Sequence, residues 1–307
     1  MANERLNPLN DFIFLKIMGE KGDEEQLLSF LNAVLNRPNN QKLLSVEIIE
    51  NKSIPADIID AKSCILDVRA KLEDGDRVDI EVQLKNLGNM DRRSLFYWSR
   101  EFTKGLSSGD EYEEVPNVIA INIVGYEFLP QVPDFHTTFH IWEDAHRDIM
   151  LTDSLEIHFL DMIKFGVKRD RDMENDPLHR WLTYLDKRSS KEMVEEVIKM
   201  DIAIQKAEKR LRTVSQDEES LRIYELREKA MMDWTSSIKY AKRIASIEAR
   251  EEGRQEGRQE GRQEGMEKVA RNALIKGYSI DQIIDITGLD ADKIKQLTEN
   301  KYNVGNQ

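Results

Sequence analysis

Between residues 64 and 84 the chain reads CILDVRAKLEDGDRVDIEVQL, and apolar positions alternate with polar ones in two successive runs. Cys64, Leu66, Val68 and Ala70 mark the first run; Val78, Ile80, Val82 and Leu84 mark the second. A two-residue period is that of a strand with one buried face. Glu73-Asp74-Gly75 lies between the runs, with glycine suited to the left-handed last position of a three-residue hairpin loop. Pairing Leu72 with Asp76 sets Ala70 opposite Val78, Val68 opposite Ile80 and Leu66 opposite Val82, so the apolar sets coincide. On the other face Arg69 then meets Asp79, and Asp67 meets Glu81.

The pattern changes on either side of this hairpin. Helical spacing predicts two helices over residues 6–36, the first capped by Asp11 and closed by Gly19, the second capped by Asp23 and stopped before Pro38. LLSVEIIE, 43–50, reads as extended. Residues 90–109 predict a helix capped by Asp91, with an apolar line of Leu95, Phe96, Trp98, Phe102 and Leu106. VPNVIAINIVGYEF, 115–128, is nearly continuous in apolar residues, as a strand buried on both faces would be. Residues 134–144 and 154–162 predict two more strands, with His158 in a structural role. Helices and strands in this succession suit an α/β fold, a mixed sheet flanked by helices. From Pro177 to Arg250 long charged helical patterns take over.

A four-residue repeat follows, EEGRQEGRQEGRQEG, with glycines at 253, 257, 261 and 265. Each glycine weakens a helix by roughly 1 kcal/mol relative to alanine, so the segment reads as a marginal helix or linker. As a helix it would present a slowly winding groove suited to self-association. Beyond it Gly277, Ser279, Gly288 and Asp290 punctuate a small helical module that resembles a helix-turn-helix. The expected division is a sheet domain over 1–165, an all-α extension over 166–250, the repeat over 251–265 and the small module over 266–307.

Composition narrows the setting. No apolar run approaches the roughly 20 residues of a membrane helix, and the first residues, MANERLNPLND, lack the regions of a signal peptide. Cys64 is the only cysteine, which excludes an intrachain disulfide and a cysteine-based zinc site. These features predict a soluble cytoplasmic protein with no membrane partner. A formal net charge of −13 argues against nucleic-acid binding through bulk charge. Any such contact must be local, and the densest basic stretch is Lys85, Arg92, Arg93, Arg100 and Lys104. His136 and His140 are four apart, but strand alternation and the absence of an HExxH pattern reject them as a metal pair.

The candidate chemistry lies in the hairpin. Opposed Asp67 and Glu81 carboxylates repel; a divalent cation such as Mg²⁺, which takes carboxylate oxygens, would remove the repulsion. Gln83 follows on the same face. Asp67 with Glu81-Val82-Gln83 fourteen residues on resembles the core of the PD-(D/E)XK nuclease superfamily, and the surrounding chain resembles the Rpn group of recombination-promoting nucleases and transposases. The likeness extends to NPLNDFIFLK (7–16), FLNAVL (30–35), RRSLFY (92–97) and GDEY (109–112), and runs over about residues 6–165.

The resemblance implies a restriction-endonuclease-like sheet and a metal-dependent DNA endonuclease linked to recombination or mobile elements. Asp67, Glu81 and Gln83 would be catalytic, with Asp67 and Glu81 holding Mg²⁺ or Mn²⁺. Lys16, Lys85, Arg92 and Arg93 are the candidates for DNA phosphates. Members of the superfamily often take a further acidic ligand from an N-terminal helix; here Asp11, Glu24 and Glu25 stay open. Gln83 departs from the usual lysine, and an amide brings no positive charge; Lys85, Lys16 and Arg92 are open for that role. The alternative is a catalytically weak DNA-binding or self-assembling regulatory protein, with a homo-oligomer formed through the helical C-terminal region.

Overall fold

A computed structural model describes residues 5–49, 68–104 and 111–303, with side chains through residue 297. The chain divides into two units, Met1–Met232 and Asp233–Gln307. The first is built on a six-stranded mixed sheet in the order β1-β2-β3-β4-β6-β5. Its strands are β1 (Val46–Ile49), β2 (Val68–Leu72), β3 (Arg77–Gln83), β4 (Val118–Val124), β5 (His136–Trp142) and β6 (Met150–Asp161). The hairpin has the expected register, with Val68 opposite Ile80, Arg69 opposite Asp79 and Ala70 opposite Val78. Leu72 N–H donates to the Asp76 carbonyl at 2.8 Å, and Gly75 takes φ +97°, open to glycine because it lacks a Cβ. Cys64, Leu66 and Asp67 lie outside the described residues.

The hairpin is not a sheet with one face in water. β3 pairs antiparallel with β2 on one side and parallel with β4 on the other. Val78, Asp79, Ile80 and Glu81 are all buried. One face carries Val78 and Ile80 into the main core with Ile119, Ile121 and Ile123. That core is covered by α1 (Asp11–Met18), α2 (Glu25–Leu35), α5 (Pro177–Leu185), α6 (Lys191–Met200) and α7 (Ile202–Val214). Trp181 of α5 is at its centre, edge-on to Phe30 and Tyr184 and donating to Ser29 Oγ at 3.1 Å. The helices beyond residue 166 thus complete the core under the sheet, because α1 and α2 alone leave their apolar stripes uncovered.

The other face of the sheet is covered by α3 (Met90–Thr103), anchored by Met90 against Ala120 and Val124 and by Trp98 Nε1 donating to the Val118 carbonyl at 3.0 Å. The expected apolar line of α3 is only partly inward. Leu95 and Phe96 are 50% and 61% exposed, while Ser94 and Glu101 are buried. Polar groups of β3 demand polar partners from the helix above them, so the buried stripe is amphipathic. Leu106 lies outside the described residues. Three caps also differ from expectation. Asn10, not Asp11, precedes α1; Glu24, not Asp23, precedes α2; and Asn89, not Asp91, precedes α3.

α8 (Glu218–Ile275) contributes its first turns to this unit, where Arg227 and Glu228 bond Asp11 and Asn10. In the second unit it continues through the glycine repeat as uninterrupted helix. α9 (Ile280–Thr287) and α10 (Ala291–Asn303) follow. Ser279 and Gln282 form a reciprocal capping box, and Gly277 and Gly288 take φ +84° and +69° at the helix ends. Ala270, Ala273, Ile283, Leu289, Ile294 and Leu297 make a separate small core. No described helix is long and apolar enough to cross a membrane.

Candidate active site

β3 alternates, so Asp79, Glu81 and Gln83 share one face, beside Ala120, Asn122 and Val124 of β4 and beneath α3. α3 answers with Arg93, Tyr97 and Glu101, four residues apart on one stripe. The result is a buried polar layer between strand and helix. At one end Arg93 Nε and Nη2 donate to Glu81 Oε1 at 2.6 and 2.5 Å. The Arg93 guanidinium stands 5.0 Å from the ring centre of Tyr97. At the other end Glu101 accepts from Arg69 at 3.2 Å, pairs with Lys104 and lies 3.9 Å from Arg77.

Asp79 sits between these ends and is 4% exposed. Burial, with Glu101 and Glu81 adding repulsion, pushes its carboxyl up to about 7, against the pull of Arg69 and Lys104. Burial also raises Glu81, and Arg93 partly offsets it. Burial pushes Glu101 the same way, but Lys104 and Arg69 outweigh it and hold that carboxyl below its ordinary value. Tyr126 is pushed up to about 12, by burial first and by Glu81 next.

Among the described residues, two oxygens in this layer are buried with no hydrogen-bond partner: Glu81 Oε2 and Asp79 Oδ1. Unpartnered carboxylate oxygens inside a protein are costly unless a cation completes them. They are hard donors of the kind Mg²⁺ and Mn²⁺ take, so the residues fit a divalent ion. Among the described residues no three His, Cys, Asp or Glu side chains converge on one point.

The structure thus brings together only part of the expected set. Glu81 and Arg93 are in contact. Gln83 turns its amide nitrogen to the Lys85 carbonyl at 2.9 Å. Arg92 is exposed on α3. Lys16 is on α1, against the opposite face of the sheet, and pairs with Glu20 at 3.1 Å. Asp67 lies outside the described residues. Of the possible N-terminal acids, Asp11 pairs with Arg227 at 2.8 Å, Glu25 pairs with Lys206, and Glu24 accepts from Gly22 N–H at 2.8 Å.

Sequence reasoning did not single out Asp79, Glu101 or Tyr126. A signal existed. A strand as apolar as residues 118–124 sits inside a sheet, so its neighbour's polar face had to be covered as well.

A mixed sheet whose central strand carries buried carboxylates beneath a basic helix defines a restriction-endonuclease-like nuclease fold. The model of the PD-(D/E)XK nuclease family transposases matches residues 8–241, and the chain belongs to that family. Neither the comparison with curated proteins nor that with solved structures gave a match.

Proposed function

We propose that this protein is a metal-dependent DNA endonuclease acting in recombination or in the movement of mobile elements. The observation that carries the reading is Glu81: a buried carboxylate with one oxygen held by an arginine and the other, among the described residues, without a partner. Asp67 and Glu81 would hold the ion, Mg²⁺ or Mn²⁺, with Asp79 two residues from Glu81 on the same face. When bound, the ion would polarise the scissile phosphate and offset the charge that develops on it. Gln83 is a neutral amide that orients by hydrogen bonding and neither brings positive charge nor takes up a proton as a base. Lys85 and the exposed Arg92 would hold flanking DNA phosphates as salt-sensitive contacts. The small module over residues 266–307 and the helical region before it would serve assembly or targeting.

The decisive experiment is cleavage of supercoiled plasmid with Mg²⁺, Mn²⁺, Ca²⁺ or EDTA, wild type beside Glu81→Ala. Nicking or linearisation that needs Mg²⁺ or Mn²⁺ and disappears in the variant is the expected result. Equal cutting by both proteins would refute the site. A protein that shifts DNA on a gel but never cuts it would be the DNA-binding regulator instead.

A further inference from the structure

α3 has two unlike faces. Ser94 and Glu101 look toward the sheet and are buried. On the opposite face Arg92, Phe96 and Arg100 stand four residues apart, with Leu95 beside them. Phe96 is 61% exposed and Leu95 50%. The polar layer beneath α3 explains why these two side chains point away from the sheet. It does not explain why they are apolar, since the outward face of a surface helix is ordinarily polar.

The charge on this face is of one sign. Arg92 and Arg100 are exposed, and among the described residues neither pairs with a carboxylate. The acids of α3 are Asp91 in its first turn and Glu101 underneath. A rise of 1.5 Å per residue sets the two arginines about 12 Å apart along the helix, with the Phe96 ring between them. The ring is also near the site. Phe96 meets Tyr97 edge-on with ring centres 5.5 Å apart, Tyr97 stands 5.0 Å from the Arg93 guanidinium, and Arg93 holds Glu81. A strand of DNA bound at Glu81 has this face within a few nucleotides of the cut.

Two cations on either side of an exposed aromatic ring match one kind of ligand. Phosphates suit the arginines, and the flat face of a base suits the ring. Such stacking tolerates any sequence, because every base has a π-face. Phe96 has no hydrogen-bonding group with which to read a base edge. A base inside a duplex keeps both faces against its neighbours, so the ring can serve only a base that has left the stack.

We propose that Phe96, between Arg92 and Arg100, stacks on an unpaired base of bound DNA, so that the protein prefers DNA with unpaired nucleotides to a continuous duplex. This rests on DNA being the substrate, as in the reading above. The arginines hold the phosphates on either side, and the ring holds the base between them.

The test uses the full-length chain as wild type, Phe96→Ala, Phe96→Trp, and Arg92→Gln combined with Arg100→Gln. One labelled strand is annealed to its full complement or to a complement mismatched over a central stretch. Binding is read by fluorescence anisotropy in Ca²⁺, and cleavage in Mn²⁺. Wild type should bind the mismatched DNA about tenfold tighter or more. Phe96→Ala should bring the two affinities to within about twofold, while Phe96→Trp should keep the preference or increase it. The double arginine variant should weaken both DNAs alike and lower the slope of affinity against salt by about two. Equal binding of the two DNAs by wild type, or a preference that survives in Phe96→Ala, would overturn the proposal. So would sedimentation in which Phe96→Ala turns a dimer into a monomer, since a second copy would then cover the ring. The preference in Ca²⁺ with no cutting in Mn²⁺ would refute the nuclease reading and support the stacking contact. Metal-dependent cutting with no preference would do the reverse, and a protein that binds neither DNA would overturn both.

Discussion

Replacing Asp79 by asparagine should make the protein more stable at alkaline pH. Asp79 is 4% exposed and its carboxyl is pushed from 3.8 to about 7. The folded chain therefore keeps this proton up to about pH 7, whereas the unfolded chain releases it near 3.8. Rising pH favours the state that has already lost the proton, so folding weakens between those values and levels off above them. Each pH unit is worth about 1.4 kcal/mol, which caps the penalty at about 4 kcal/mol. Asparagine keeps the shape and carries no charge, but its amide needs partners in the same layer. We expect a net gain of about 2 kcal/mol at pH 8.5, or about 4–8 °C in melting temperature for a unit of this size. The gain should shrink steadily below pH 7, pass through zero near about pH 5 and turn into a loss of about 2 kcal/mol by pH 4. Thermal unfolding followed by tryptophan fluorescence, at several pH values, measures it. An Asp79→Asn protein less stable than wild type at pH 8.5, or a gain that ignores pH, would refute this account of the buried layer.

Three further outcomes are expected. His136 is bonded to buried His158 at 2.9 Å, and burial first, then His158, lowers it from 6.5 to about 4; stability should be full above pH 6.5 and lost as pH falls toward 4, by at most about 3 kcal/mol, and melts of His136→Gln should lack that loss. Trp181→Ala should cost about 3–5 kcal/mol in denaturant unfolding, since the ring is fully buried against Phe30 and Tyr184; a negligible cost would mean that α5 is not part of the sheet's core. Alanine at Gly253, Gly257, Gly261 and Gly265 meets open space at all four sites and should strengthen α8 by about 0.5–1 kcal/mol per site; circular dichroism should show later melting of helix with no change in DNA cleavage.

The sequence by itself determined the local structure of this protein. Alternation from Val68 to Gln83 set the hairpin and its register, because slipping by one residue would turn every apolar side chain to the wrong face. The apolar run of β4, the capping box at Ser279 and the glycine turns at 277 and 288 were equally legible, since each is fixed by residues a few positions apart. Glu81 and Gln83 were legible as candidates for the same reason, through their spacing on one strand. What only the tertiary structure decided was the environment of that strand. Once β4 pairs on the far side of β3 and α3 closes over it, Asp79 and Glu81 leave water, and their protonation depends on Arg69, Arg93, Glu101 and Lys104 from elsewhere in the chain. Leu95 and Phe96 faced outward for the matching reason: a helix laid over buried carboxylates must turn its charged stripe inward. Burial and charge pairing are properties of distant residues brought together, so no local pattern could have stated them.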